Sequence, residues 1–479
     1  MSILVVDIGS SSVRALLFDE QAKPIPGALC QIKHSFHTAG DGEATADPRH
    51  LQQLTEECIT QVVQHPAASD IQAVGVSSFV GNILGVDASG SAVTPCFTYA
   101  DGRGGELVKT LQDKIDVPTN YQATGCRLHP AYATVRLYWY QQQYPEAYRR
   151  VARWMDFAAY LYRQWFGQTV TSYSVASWSG LLNRAQLAWD DRWLNLLQLD
   201  PAALPTLADT MDTVQGLLPP YNERWQVLAD VPFFLAIGDG AAANIGSGGV
   251  DSTSAALSIG STSAIRRVST DRLPPVPDGL WGYRVTAQHP LIGGATTEGG
   301  TLYEWARKTL QLEADVEAAL AAQVPDGHGL TVLPFWSGER SPGWHSEASG
   351  TLHGLRLSTT PLDILHALLE SIALRLAHIA GVLLPGEARI MAGGGAIAAS
   401  TVWPQIIANA LNRPLHMLSE GETSARGIAI LLLSHLHQRQ WTDYPPQIAR
   451  VIQPQRSAVE IYQQARQRQQ ALYQQFYKG

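Results

Sequence analysis

The chain opens with an unbroken apolar run, Ile3-Leu4-Val5-Val6, which ends at Asp7 and a polar turn, Gly9-Ser10-Ser11-Ser12. Apolar character resumes over 13–18, so the pattern predicts strand, turn, strand. Further strands are predicted at 73–77 and 83–86, the second followed by a hairpin-type turn, Asp87-Ala88-Ser89-Gly90. Over 132–167 the apolar period lengthens to three or four. Trp139, Tyr140, Trp154, Ala158, Tyr162 and Trp165 then share a helical stripe, and their expected place is a core rather than a cofactor face.

The same strand-turn-strand signature returns at 255–265. Asp7-Ile8-Gly9-Ser10-Ser11-Ser12 lies over Ser258-Ile259-Gly260-Ser261-Thr262-Ser263 at an offset of 251, near half of the 479 residues. Repetition at that interval predicts two similarly built domains facing one another. The first copy carries an acid and the second does not, so the halves would share a shape and divide the chemistry. A boundary is expected where a strand over 233–237 meets Gly238-Asp239-Gly240, which gives domains 1–237 and 238–479. Pro-rich stretches at 217–220 and 273–277 read as surface connections. The Gln- and Arg-rich segment 454–479 keeps a stripe of Ile461, Ala465, Leu472 and Phe476, and predicts a solvated closing helix.

Composition narrows the class. Hydrophobic residues at 45% and charged residues at 16% exclude a disordered chain. A net charge of −8 removes the basic footprint of a nucleic-acid binder, and anionic ligands must then be held locally. The longest apolar run, 428–433, has core-helix length, and the N-terminus lacks a basic leader. Cys30, Cys58, Cys96 and Cys126 make no CxxC pair and read as reduced thiols of a cytoplasmic protein. The expected partner is a small molecule, with no nucleic acid and no membrane.

A turn of Gly and hydroxyl residues lets backbone N–H groups and side-chain oxygens cradle an anion. Any single hairpin can contain such residues. Two related turns, Gly9, Ser10, Ser11 and Ser12 in one half and Gly260, Ser261 and Thr262 in the other, could grip a polyphosphate from both sides. Arg14 would add a cation, or lie as an outward charge on its strand. Gly393-Gly394-Gly395 follows a strand over 388–391 and precedes a helix near Ser400. Without a GxGxxG fingerprint it suits either a nucleotide passing over bare backbone or tight strand-to-helix packing. Phosphoryl transfer needs phosphate grips, a divalent cation and a base. Asp7, at the mouth of the first turn, is placed for Mg²⁺ through water. Asp239 is placed to face a cleft as a base, although an Asp between glycines is also an ordinary turn residue.

Six ordered blocks resemble the FGGY carbohydrate kinases, members of the group that includes actin and hexokinase. They are DIGSSSVR at 7–14, YADGR at 99–103, IGDGAAANIG at 237–246, SIGSTSAI at 258–265, PFWSGERSPGW at 334–344 and GGGAIAASTVWPQIIANAL at 393–411. The resemblance implies an α/β fold of two actin/hexokinase-like (ribonuclease H-like) domains around a central cleft. It implies ATP between the two turns with adenosine over Gly393 to Gly395, Mg²⁺ near Asp7 and Asp239, Asp239 as catalytic base, and a homodimer. The acceptor would lie against Asn82, Asp101 and Arg103. TGCRLHPAYATVRLYW at 124–139 and SYSVASWSGLLN with Trp189-Asp190 are most similar to gluconokinases, and next to xylulokinases. That implies ATP-dependent phosphorylation of gluconate to 6-phosphogluconate; a ketose or polyol kinase is the alternative, and a non-kinase ATPase-fold protein or sugar sensor the alternative of another class. For an aldonate, Arg103, Arg127 or His129 would hold the carboxylate, with His129 fitting better as a core residue. Two positions depart from the family pattern. Val80-Gly81 stands where Met-His is usual, which changes a pocket wall, and Arg426 stands where a small or apolar residue is commoner.

Overall fold

β1 (Ser2–Ile8) is buried at every position, as a strand covered on both faces must be. It pairs antiparallel with β2 (Ser12–Phe18), which pairs with β3 (Pro24–Lys33). α1 (Pro48–Val62) starts on Asp47, whose carboxylate accepts from the Arg49 and His50 N–H groups, and returns the chain to β4 (Ile71–Ser78), parallel to β1. This computed structural model describes residues 1–269, 271–384, 386–419 and 421–477.

The stretch read as continuous helix is broken in two places. α2 (Ala133–Gln143) stops before Pro145, a helix covers Pro145–Arg150, and β5 (Arg153–Met155) intervenes before α3 (Phe157–Phe166). Pro145 cannot continue the hydrogen-bond ladder, and Asp156 caps a new helix by accepting from Ala159 N–H, so Trp154 lies in a strand. β6 (Thr213–Val214) and β7 (Phe233–Phe234) extend the sheet in the order β6-β7-β4-β1-β2-β3, and β8 (Ile237–Gly238) also pairs with β4. The predicted strand at 233–237 is thus two short ones. The chain leaves this sheet at Asp239, the first residue of α4 (Asp239–Gly246).

The second lobe repeats this plan. β9 (Ser254–Ile259) and β10 (Ser263–Val268) are antiparallel, followed by β11 (Trp281–Arg284), β12 (Pro290–Thr296), α5 (Gly300–Thr309) and α6 (Pro361–Leu383). β13 (Arg389–Gly393) returns parallel to β9, as β4 does to β1. Then come α7 (Trp403–Leu411), β14 (Leu415–Leu418), α8 (Thr423–His437), β15 (Ile448–Ile452) and α9 (Arg456–Phe476). The order is β11-β12-β10-β9-β13-β14-β15. α9 is the predicted closing helix; positions 478 and 479 lie outside the described residues. α6 is by length and composition apolar enough to cross a bilayer, although charged residues interrupt its apolar run; 83% of its apolar window is buried, and it forms the spine of the second core.

Between the lobes, Ile3, Val5 and Leu16 share a core with Ile245, Ile428 and Leu432. α4 and α8 approach backbone to backbone there. A Cβ on Gly427 would lie 1.9 Å from the Ala242 carbonyl oxygen, and one on Gly246 would lie 1.8 Å from that of Thr423. Arg426 locks the same seam by donating to the carbonyls of Gly246, Tyr444 and Pro445, which accounts for an arginine at this position. The stretch at 273–277 is more than a surface connection: Val276 exchanges two hydrogen bonds with Gln122, and Tyr121 donates to the Pro277 carbonyl.

Candidate active site

Both turns fold as their sequences require. In the first, Gly9 N–H donates to the Ser12 carbonyl (3.0 Å), and in the second Gly260 N–H donates to that of Thr262 (3.0 Å). Ile8 pairs with Val13 and Ile259 with Ser263, so the second bend is one residue tighter. Ser10 and Ser11 present hydroxyls with no partner among the described residues. Ser12 does not belong to that rim: its side chain is buried and accepts from Gln31. The second bend is seated on α5, where Gly300 N–H donates to the Gly260 carbonyl at 2.7 Å and Thr301 Oγ1 to that of Ser261 at 2.9 Å. A Cβ on Gly260 would meet no atom within 4 Å, so the bare backbone there faces open space.

Gly394 has φ +108°, and a Cβ on it would stand 2.4 Å from the Ile259 carbonyl oxygen. Only glycine allows β13 to turn so close to β9. Gly395 again faces open space, whereas Gly393 ends β13 against Leu418. Gly260, Ser261, Gly395, Ala396, Tyr303 and Trp403 line a cavity of about 490 Å³, large enough for a nucleoside, with Glu304 and Glu317 also at its wall.

The next residue of that bend, Thr262, lines a second cavity of about 280 Å³ together with Asp239, Arg266, Arg340 and Ser424. Its aromatic wall is Trp178 stacked on Tyr283 (3.8 Å between centroids), with Trp281 on Tyr283 (4.4 Å). One bend therefore borders both cavities, which is the arrangement needed to pass a group from one ligand to another.

Asp7 and Ile237 are both opposite Ser77, one on each side of β4. The two acids thus leave the carboxyl edge of the first sheet flanking β4. Asp239 Oδ1 accepts from Gly240 N–H at 2.7 Å. Burial pushes its carboxyl up to about 6; Gly240 N–H and Arg266 oppose the shift, and the like charge of Asp7 adds to it. Asp7 Oδ2 accepts from Arg14 (2.7 Å) and from Ser424 (2.8 Å), while Arg14 also pairs with Glu422. Arg14 therefore bridges two carboxylates rather than standing free.

Three expected acceptor contacts lie outside the cavity lining. Asn82 is buried and occupied, donating to the Phe79 carbonyl and accepting from Phe157 N–H at 2.7 Å. Asp101 and Arg103 form a fork, at 3.0 Å and 2.6 Å, with Arg103 lying over Trp139. Arg127 is bound to Asp278. His129, held down to about 3 by burial, is uncharged near neutrality and packs on Trp344, which lines the cavity, so it is a half-buried neighbour of the site. Sequence reasoning missed Arg266, Arg340, Ser424 and the Trp178–Tyr283–Trp281 stack. A signal existed for one of them: Arg266 stands one position beyond where the repeat offset carries Arg14.

The family models for the FGGY family of carbohydrate kinases match the chain in both halves, the N-terminal domain over residues 2–246 and the C-terminal domain over 255–435. A gluconokinase of Bacillus subtilis (strain 168) is 25% identical over 446 residues, covering 90% of this chain and 86% of its own length. A xylulose kinase of Escherichia coli (strain K12) is 26% identical, covering 87% and 86%. Among solved structures, the gluconate kinase from Lactobacillus acidophilus superposes with a TM-score of 0.92 at 23% identity, covering 100% of this chain and 99% of that one, a likeness of fold. Two lobes of like topology and family-model matches across both halves place this chain in the FGGY family of carbohydrate kinases.

Proposed function

We propose that the protein transfers the terminal phosphoryl group of ATP to the 6-hydroxyl of gluconate, giving 6-phosphogluconate. One observation carries this reading: Asp239 shares a cavity with Thr262, the last residue of a turn whose first two residues line the nucleoside-sized cavity. ATP would lie along that turn, its adenosine beside Gly395 and its phosphates against Gly260 to Thr262 and the first turn. The acceptor would lie in the 280 Å³ cavity against the aromatic stack, with its terminal hydroxyl toward Asp239. Asp239 takes the hydroxyl proton as the phosphoryl group leaves.

Mg²⁺ fits the residues present. Asp7 Oδ1 carries no hydrogen bond among the described residues, and Asp7 and Asp239 carry like charges that act on one another, which a hard divalent cation would relieve. Asp7 would hold it through water with Asp239 beside it, and it would supply charge neutralisation on the phosphates.

The test is ADP release over a panel of aldonates, ketoses, polyols and aldoses. Gluconate is expected to give the highest kcat/KM. A ketose in first place would favour the second reading, which rests on the similarity to xylulose kinases. ADP release independent of every acceptor would overturn the kinase reading and point to a nucleotide-driven ATPase-fold protein.

A further inference from the structure

The charged side chains that line the acceptor cavity are Asp239, Arg266 and Arg340. Two guanidiniums against one carboxylate is an excess of positive charge inside a chain whose net charge is −8. The two arginines differ in what they already do. Arg266 donates to Ser258 Oγ at 3.0 Å and acts on Asp239. The Arg340 guanidinium makes no ion pair or hydrogen bond among the described residues and lies over the Tyr99 ring, 5.4 Å from its centroid. A guanidinium packed on a ring keeps its N–H edges free, and two adjacent N–H groups match a carboxylate.

The surroundings hold Arg340 in that state. Its neighbour Glu339 is satisfied by Arg375, by Tyr473 OH at 2.8 Å and by Gly343 N–H, so no carboxylate of its own loop is left for it. The other basic groups near this wall are occupied or neutral: Arg103 by Asp101, Arg127 by Asp278, Arg136 by the carbonyls of Pro130 and Gly81, and His129 by its burial. Arg266 and Asp7 are the charges acting on Asp239, whereas Arg340 lies over Tyr99, which lines the cavity wall together with Gly81 and Ala131. Gly81 (φ +67°) makes room for this arrangement, since a Cβ there would stand 2.9 Å from the Ala131 carbonyl oxygen and 3.2 Å from Tyr99 Cβ.

We infer that Arg340 selects an anionic acceptor by holding its carboxylate with a two-pronged hydrogen bond beside Tyr99 on the cavity wall. This rests on the gluconate reading and names the residue that would enforce it. The experiment compares gluconate with its neutral isostere gluconamide in the wild type, Arg340→Gln and Arg340→Lys, by kcat/KM from ADP release. The wild type is expected to prefer gluconate by about a hundredfold, the scale of a charged hydrogen-bonded pair. Arg340→Gln should bring the ratio close to one, chiefly through the KM for gluconate. Arg340→Lys should fall between, because an ammonium lacks the fork. Equal losses for both acceptors in Arg340→Gln, or a preference that survives it, overturn the inference and leave the gluconate reading standing. A wild type indifferent to gluconamide also overturns it, with no variant needed. A wild type that turns over a ketose but neither aldonate derivative refutes the gluconate reading itself.

Discussion

Asp239→Asn should make the protein more stable and almost inactive, with both effects tracing to one half-buried, desolvated carboxyl. The Asp239 carboxyl stands at about 6 against an ordinary 3.8. An unfolded chain releases that proton near 3.8, so between there and about 6 the folded chain holds a proton the unfolded one has lost. Stability therefore falls as pH rises through this window, and the deficit is complete above about 6. A shift of that size corresponds to about 3 kcal/mol at most, and solvent at the cleft mouth reduces it to about 1–3 kcal/mol. Asparagine keeps the shape and removes the charge. The variant should gain that amount near pH 8, about a third of it near pH 4.5, and nothing below about pH 3. Turnover should fall by about 10²- to 10⁴-fold, the loss of a general base. Thermal melts of the nucleotide- and metal-free protein across pH, beside ADP release with gluconate, test both. A melting temperature that does not rise near pH 8 would refute the burial argument, and turnover within tenfold of wild type would refute the base assignment.

Gly260→Ala tests the phosphate cradle. The added Cβ meets nothing in the protein but stands where phosphate would lie, so the melting point should hold while the KM for ATP rises by about tenfold or more. Initial rates with ATP and acceptor varied separately decide it, and an unchanged KM for ATP contradicts the assignment. Arg266→Gln removes a charge that favours ionised Asp239, so the acid limb of the kcat/KM–pH profile should move upward; an unmoved limb would show that Arg266 does not act on the base.

The parts of the site legible in the sequence are those made by neighbours in the chain. A glycine and hydroxyls between two apolar runs specify a bend locally, and two such bends at one offset specify two lobes. Asp239 was legible because a strand and flanking glycines deliver it to a sheet edge. Asn82, Asp101 and Arg103 look equally polar in the sequence, but their occupation is decided by the fold. Asn82 is claimed by the N–H of Phe157, 75 residues away, and no local pattern foretells it. Arg103 is the instructive case, because its fork partner Asp101 lies two residues before it and the pairing could have been anticipated. Arg340 carries the reverse lesson: an arginine following a glutamate suggests a local pair, yet Glu339 is claimed by Arg375 of α6 and Tyr473 of α9. The break at Pro145 was written in the sequence and overridden by the aromatic stripe.

The division of chemistry between the lobes follows from one difference in the repeat. In each lobe the residue two positions before the turn glycine receives an arginine from the following strand: Arg14 donates to Asp7, and Arg266 donates to Ser258. In the first lobe the pair contains an acid, Glu422 adds another, and the result is a negative site suited to a cation. In the second lobe serine accepts the hydrogen bond without cancelling the charge, so the Arg266 guanidinium stays positive beside Asp239. Burial pushes the Asp239 carboxyl up toward its protonated form, and the Asp7 charge adds to that tendency, against the Gly240 N–H. The uncancelled charge of Arg266 opposes both, which a second acid at position 258 would prevent. Ser258 in place of aspartate is therefore what lets the second lobe help ionise a base carried at the edge of the first.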